Sequence, residues 1–336
     1  MKTSIETYET PTKRPLEELV QTPTKRTELK MKTVLVPLDF SRPSMQALKY
    51  AIGLAEEFKA TIHLVHVQPT DELTGIAGAG HMMLNWADAL AFMQDRLDEV
   101  QREHDVHFWP EHCHVPSGRT HEQICKLARD LDVDLIVLST RGHSGLKRLA
   151  LGSTAERVVR FAPCPVLIPR GRKYQSLSPN LTGQAPRFAP QKILVPVDFS
   201  SCSFVAVRYA ATLAARFKST VRLFHALYPY TEVIAVDRIS LETGHSQSQA
   251  NAQLEMDALK QSRWLQRVNT ETEIRTGYAV EEICAQTGDE EVDLLVISTH
   301  GRAGFKHTLI GSVAEHVVRY AECPVISVPS RFNPDN

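Results

Sequence analysis

Two carboxylates, Asp39 and Asp198, and two glycine-rich stretches are the residues best suited to chemistry in this chain. Each aspartate ends an apolar run, in Pro37-Leu38-Asp39 and in Pro196-Val197-Asp198. An ionised carboxylate only accepts hydrogen bonds and has room for several, so it suits the paired hydroxyls of a ribose. An Asx turn or a helix-entry role is the competing reading. The first glycine stretch, Ser139–Ser153, reads S-T-R-G-H-S-G-L-K-R-L-A-L-G-S and follows the apolar run Val133–Leu138. The second, Ser298–Ser312, reads S-T-H-G-R-A-G-F-K-H-T-L-I-G-S after Val292–Ile297, and seven of its fifteen positions repeat the first.

A strand, a glycine loop and a helix start in that order present unpaired N–H groups and the positive end of a helix dipole to an anion. Glycine lets a phosphate approach the main chain with no Cβ in the way. Ser153-Thr154-Ala155-Glu156 and Ser312-Val313-Ala314-Glu315 also fit the capping box that opens ordinary helices. A cap, however, has no use for Gly142, Gly145 and Gly152, all of which recur as Gly301, Gly304 and Gly311. Lys147 and Lys306 either offset phosphate charge or lie on a solvated helix face.

At these residues the chain resembles the universal stress protein family, whose nucleotide-binding members carry G-x2-G-x9-G-[S/T] between the fourth strand and the fourth helix. Gly142, nine residues and Gly152-Ser153 match its later part, as do Gly301, nine residues and Gly311-Ser312. Ser139 and Ser298 stand where the family has its first glycine. The resemblance implies an adenine nucleotide as ligand, ATP with Mg²⁺, held by its ribose on Asp39 and Asp198. It implies adenine against the main chain of Val67 and Ala226. Phosphates would then lie on Gly142, Gly152, Ser153 and Thr154 in one copy and on Gly301, Gly311, Ser312 and Val313 in the other. Pro37, Leu38, Pro196 and Val197 belong to the same expected sites. The family also pairs its last strands between domains, which implies that Val166–Ile168 meets Val325–Val328 across a pseudo-two-fold, with a homodimer as a further expectation.

The elements that must position these residues repeat at a fixed offset: Asp39 to Asp198, Gly142 to Gly301 and Cys164 to Cys323 are each 159 apart. A period that long marks a duplicated domain and not a solenoid. Each copy opens with a run apolar on both faces, Thr33–Leu38 or Lys192–Val197, as a parallel strand covered on both sides requires. A helical pattern follows at Ser44–Phe58 and Ser203–Phe217, then a strand at Thr61–Val67 and Thr220–Leu227. Beyond a loop with Gly75, Gly78 and Gly80 come helix-length stretches at Asn85–His104 and Gln249–Val268. Short strands near His112–Val115 and Glu271–Arg275, helices at Thr120–Asp130 and Ala279–Gly288, and last strands at Pro165–Pro169 and Pro324–Pro329 complete each copy. Such alternation predicts an α/β fold of two tandem doubly wound parallel sheets. If the strand order is 3-2-1-4-5, as in the adenine nucleotide alpha hydrolase-like fold, the ends of strands one and four meet at the switch point, and Asp39 and the glycine loop share a cleft. The expected organisation is a disordered tail over 1–30, domains over 31–170 and 191–330, and a linker over 171–190.

With 336 residues and 43% hydrophobic content, the chain has enough apolar surface for two cores. A net charge of −1 gives no field to gather nucleic acid or an anionic membrane, so neither is an expected partner. The start has no apolar signal region and no stretch supplies a membrane span, so a cytoplasmic location is expected. Six cysteines without a C-x-x-C read as buried, reduced thiols. Neither G-x-G-x-x-G after the first strand nor G-x-x-x-x-G-K-[ST] occurs, which argues against dehydrogenase and P-loop readings. His104, His107, His112, Cys113 and His114 cluster in the first copy, where His112 and His114 would share a strand face of the kind zinc uses. The second copy has Glu271, Thr272 and Glu273 there, and solvated histidines rather than a metal site are expected. The reading is an ATP-binding regulatory or stress-response module with an unidentified protein partner and no catalytic set. A slow ATPase or phosphotransferase and a nucleotide-free interaction module are the alternatives.

Overall fold

A computed structural model of the protein describes residues 29–68, 86–104, 107–139, 151–170, 188–229, 238–289, 291–301 and 310–333. Within these, the first half runs β1 (Thr33–Pro37), α1 (Arg42–Phe58), β2 (Thr61–Val65), α2 (Trp86–His104), a 3-10 turn (Pro110–His112), β3 (Cys113–His114), α3 (Thr120–Asp130), β4 (Leu135–Val137), α4 (Ser153–Phe161) and β5 (Val166–Ile168). The second half repeats it as β6 (Lys192–Pro196), α5 (Ser201–Phe217), β7 (Thr220–Leu227), α6 (Arg238–Lys260), β8 (Asn269–Thr276), α7 (Ala279–Thr287), β9 (Leu294–Ser298), α8 (Ser312–Tyr320) and β10 (Val325–Val328).

The ten strands form one sheet in the order β3-β2-β1-β4-β5-β10-β9-β6-β7-β8. Each half has the expected order 3-2-1-4-5 with parallel neighbours. β5 and β10 join the halves antiparallel, with Ile168 opposite Val325 and Leu167 opposite Ile326, as the expected pseudo-two-fold requires. Alternation along each strand feeds two cores. Val34 and Val36 pack on one face with residues of α1, α2, α5 and α6. Leu35 and Ile136 pack on the other with α3, α4, α7 and α8. Both cores cross the seam between halves.

Sequence and structure agree closely for α1, whose N-cap Ser41 accepts a hydrogen bond from the Ser44 N–H. Lys59 and Lys218 end α1 and α5 in the left-handed conformation, at φ 55° and 58°. The expected helix over Gln249–Val268 is instead α6, which starts eleven residues earlier and stops at Lys260. Residues 261–268 turn back through bonds from Ser262, Leu265 and Val268 to carbonyls three residues before them, and Leu265 is buried. Burying Leu265 outweighs continuing a helix that has few apolar residues left to cover. Phe188, within the expected linker over 171–190, is buried between Tyr50 of the first half and Phe217 of the second. Residues 1–28 of the expected tail over 1–30, the loop with Gly75, Gly78 and Gly80, and linker residues 171–187 lie outside the described residues.

Candidate nucleotide clefts at the strand ends

The carboxyl ends of β1 and β4, and of β6 and β9, are adjacent because these strands pair in parallel, Val34 with Leu135 and Ile193 with Leu294. Asp39 and Asp198 sit just past β1 and β6. In each, the N–H and Oγ–H two residues on donate to the same carboxylate oxygen, from Ser41 at 3.0 and 2.6 Å and from Ser200 at 3.0 and 2.6 Å. The turn reading of the aspartate therefore holds for Oδ1. Oδ2 points elsewhere: a Cβ added to Gly301 would stand 2.6 Å from Asp198 Oδ2. The aspartate and the glycine loop thus converge, and the close approach is possible only because residue 301 has no side chain.

Gly311, which closes the same loop, is different. Its N–H donates to Thr299 O at 2.8 Å. A Cβ there would meet nothing nearer than Thr299 O at 3.6 Å and Gly301 N at 3.7 Å, and its φ of −60° suits any residue. Nothing inside the described chain demands glycine at this position, whereas a phosphate at the helix mouth would. Gly152 has a similar backbone conformation, φ −65°, at the start of α4.

The capping-box alternative is not realised. Gly152 and Gly311, not the serines, are the N-caps, and neither helix has a side-chain cap. Glu156 accepts instead from Arg160 at 2.9 Å and Glu315 from Arg319 at 3.3 Å, because an arginine one turn on competes for the carboxylate. Ser153 and Ser312 are exposed, and Thr154 and Val313 half-buried. Ser298 is buried at the end of β9, its Oγ 3.5 Å from the His300 N–H. Ser139 is half-buried beyond β4. Pro37, Leu38, Val67 and Val197 are buried, and Pro196 and Ala226 partly so, so a ligand would meet these through the main chain. Gly142, Gly145, Lys147, Gly304 and Lys306 lie outside the described residues.

Sequence reasoning missed a second pair at each cleft. His66 Nδ1 donates to Leu38 O at 2.8 Å and His225 Nδ1 to Val197 O at 2.7 Å. A carbonyl only accepts, so this nitrogen carries the proton. Each imidazole ties the end of the second strand to the residue before the aspartate. Beside them Phe40 and Phe199 hold φ of 59° and 60°, a conformation a bulky residue rarely takes. Their rings pack on His66 and His225 at 5.2 and 4.6 Å. The signal was the recurrence, at the same offset, of Asp-Phe-Ser and of a histidine one residue before Val67 and Ala226.

The histidines weighed for zinc divide. His107 lies edge-on to Trp109 at 4.3 Å, and the side chain of His104 is outside the described set. His112 and His114 meet a third imidazole, His63 of β2. Among the described residues no three His, Cys, Asp or Glu side chains are placed to hold a metal ion. Four of the six cysteines are buried and all are free, while Cys202 and Cys284 are only half-buried, a correction to the expectation for all six. No described helix is long and apolar enough to cross a membrane.

Comparison with known proteins finds one family model, described as the universal stress protein family, matching twice, over residues 30–170 and 190–329. A universal stress protein of Mycolicibacterium smegmatis is 26% identical over 89% of this chain and 97% of its own length. Universal stress protein MJ0531 of Methanocaldococcus jannaschii is 33% identical over 41% of this chain and 81% of its own. Among solved structures, a universal stress protein from Archaeoglobus fulgidus superposes with TM-score 0.57 at 19% identity, covering 89% of this chain and 98% of that one. The likeness to that structure is one of fold.

Proposed function

The chain belongs to the universal stress protein family, and from that premise we propose that it binds ATP with Mg²⁺, one nucleotide in each half, as a nucleotide-linked regulatory module of the stress response in the cytoplasm. The observation that carries the proposal is the meeting of Asp198 Oδ2 with Gly301, next to α8, whose N-cap Gly311 has no side chain to cap it and meets no contact among the described residues that requires glycine. In this reading the oxygen of Asp39 and Asp198 that does not serve the serine turn accepts from ribose hydroxyls. The N–H groups that open α4 and α8, with Ser153, Thr154, Ser312 and Val313, receive the phosphates beside Gly152 and Gly311. Gly301, with no side chain, leaves the phosphates access beside Asp198. The main chain at Val67 and Ala226 faces adenine, and Mg²⁺ would neutralise phosphate charge without a dedicated protein cage.

Two equivalent clefts predict two equivalents of ATP by calorimetry, and native mass spectrometry should show the same stoichiometry. A ligand at 100 times its dissociation constant stabilises the form that binds it by about 2.7 kcal/mol, so Mg-ATP should raise the unfolding temperature. Absence of any shift at millimolar Mg-ATP would overturn the proposal.

A further inference from the structure

The offset that aligns the halves places His63, His112 and His114 on Arg222, Glu271 and Glu273. In the second half the Arg222 guanidinium, on β7, contacts Glu271 of the edge strand at 3.5 Å, Asp289 at 3.0 Å, Glu291 at 3.3 Å and Gln286 at 3.1 Å. Strand, edge and the end of α7 are thereby joined by a cation that keeps its charge at any physiological pH. The first half has three imidazoles in those positions. His63 Nδ1 lies 3.0 Å from His114 Nε2, with the rings inclined by only 19°, and the His112 ring centroid is 4.7 Å from that of His63.

A nitrogen-to-nitrogen hydrogen bond needs one proton and one lone pair, so it exists only while at least one of the two imidazoles is neutral. Among the described residues, the charged groups that share a cavity with His114 come from two elements. The 3-10 turn carries Glu111, and α3 contributes Lys126 and Asp130, which with Gln123 and His114 line a cavity of about 420 Å³. Cys113 belongs to the opposite core, where α2 packs. Among the described residues neither Glu111 nor Asp130 forms an ion pair with the imidazoles. The edge they hold is short: β3 has two register pairs with β2, against eight between β7 and β8. It is also linked to the cleft. His66 N–H donates to His114 O at 2.9 Å and Gln68 N–H to Pro116 O at 3.0 Å, on either side of Val67, and His66 in turn holds Leu38.

We propose that His63, His112 and His114 form an acid-sensitive clasp on the edge strand of the first half. When His63 and His114 take up protons, the clasp releases β3 and loosens the Val67 wall of the first cleft, while the Arg222 network keeps the second half closed. The effect on the cleft rests on the nucleotide reading above; the opening of the edge does not.

The sign follows from burial. Desolvation, then the neighbouring His112 and His114, hold His63 at about 4. Desolvation and then His112 lower His114 as well. The folded edge thus prefers His63 and His114 neutral, whereas an unfolded imidazole protonates at about 6.5. Stability is lost as pH falls from about 6.5 through about 4 and is level above and below that window.

Amide hydrogen exchange without nucleotide, at about pH 7.5 and about pH 5 and corrected for intrinsic rates, tests the clasp. Residues 62–68 and 112–118 should lose protection about tenfold, the change that one unit of imbalance in pKa produces. Residues 221–227 and 270–277 should not change. His63→Gln with His114→Gln, an amide pair that bonds without titrating, should abolish the acid response. Should that variant fail to fold, imidazole nitrogen shifts in the unmodified protein decide, with His63 still neutral at about pH 5.5. An equal acid response in both halves, or His63 titrating near about 6.5, overturns the clasp. ATP affinity should fall at the first site between the two pH values by up to about tenfold more than at the second. If ATP fails to bind at either pH, the nucleotide reading falls while the exchange result still decides the clasp.

Discussion

One oxygen of Asp198 is committed to Ser200 and the other faces Gly301, so the two can be separated by substitution. Asp198→Asn keeps an acceptor for Ser200 but puts an amide nitrogen, a donor, where the ribose hydroxyls would bond. Folding should survive, and ATP affinity at the second site should fall by about 1.5 to 3 kcal/mol, the worth of a bond to a charged group. Affinity for a ribose-free triphosphate should change little, and calorimetry with both ligands checks this. Gly301→Ala should do more damage, because its Cβ would displace the carboxylate, whereas Gly311→Ala has ordinary contact distances and should leave thermal stability within about 1 kcal/mol.

At the scale of the element, the matter is how α4 and α8 begin. A glycine N-cap has no side chain to accept from the first N–H groups of either helix. Gly152→Val and Gly311→Val put a branched Cβ where phosphate would approach. Each should halve the ATP stoichiometry, and the double variant should bind none, with circular dichroism unchanged. Two ATP retained at native affinity in both single variants would make these loops purely structural.

Across the whole molecule, the sheet and both cores run through the β5–β10 seam. Ion pairs cross it as well, Arg216 to Glu57 at 3.0 Å and Arg319 to Glu156 at 3.7 Å. Leu167 is fully buried opposite Ile326, so Leu167→Ala should cost about 2 to 5 kcal/mol. That loss should appear in both halves together, as one shifted calorimetric transition. Two transitions of which only one moves would show that the halves unfold independently.

The sequence by itself determined the layout that local physics controls. Apolar runs bounded by Asp-Phe-Ser and by glycine marked the strands, the constant offset gave two copies, and strand-end chemistry led to the expectation that each aspartate meets its glycine loop, as Asp198 meets Gly301. Resemblance supplied the meeting of the last strands, which no periodicity specifies. Tertiary structure alone decided what depends on partners distant in the chain. It set Glu156 on Arg160 in place of a cap, turned residues 261–268 back to bury Leu265, and brought His63 onto His114, 51 residues away. Parallel pairing causes that last contact: β2 and β3 are neighbours only after a helix has crossed over, so their register and the chemistry of their shared face exist only in the folded sheet.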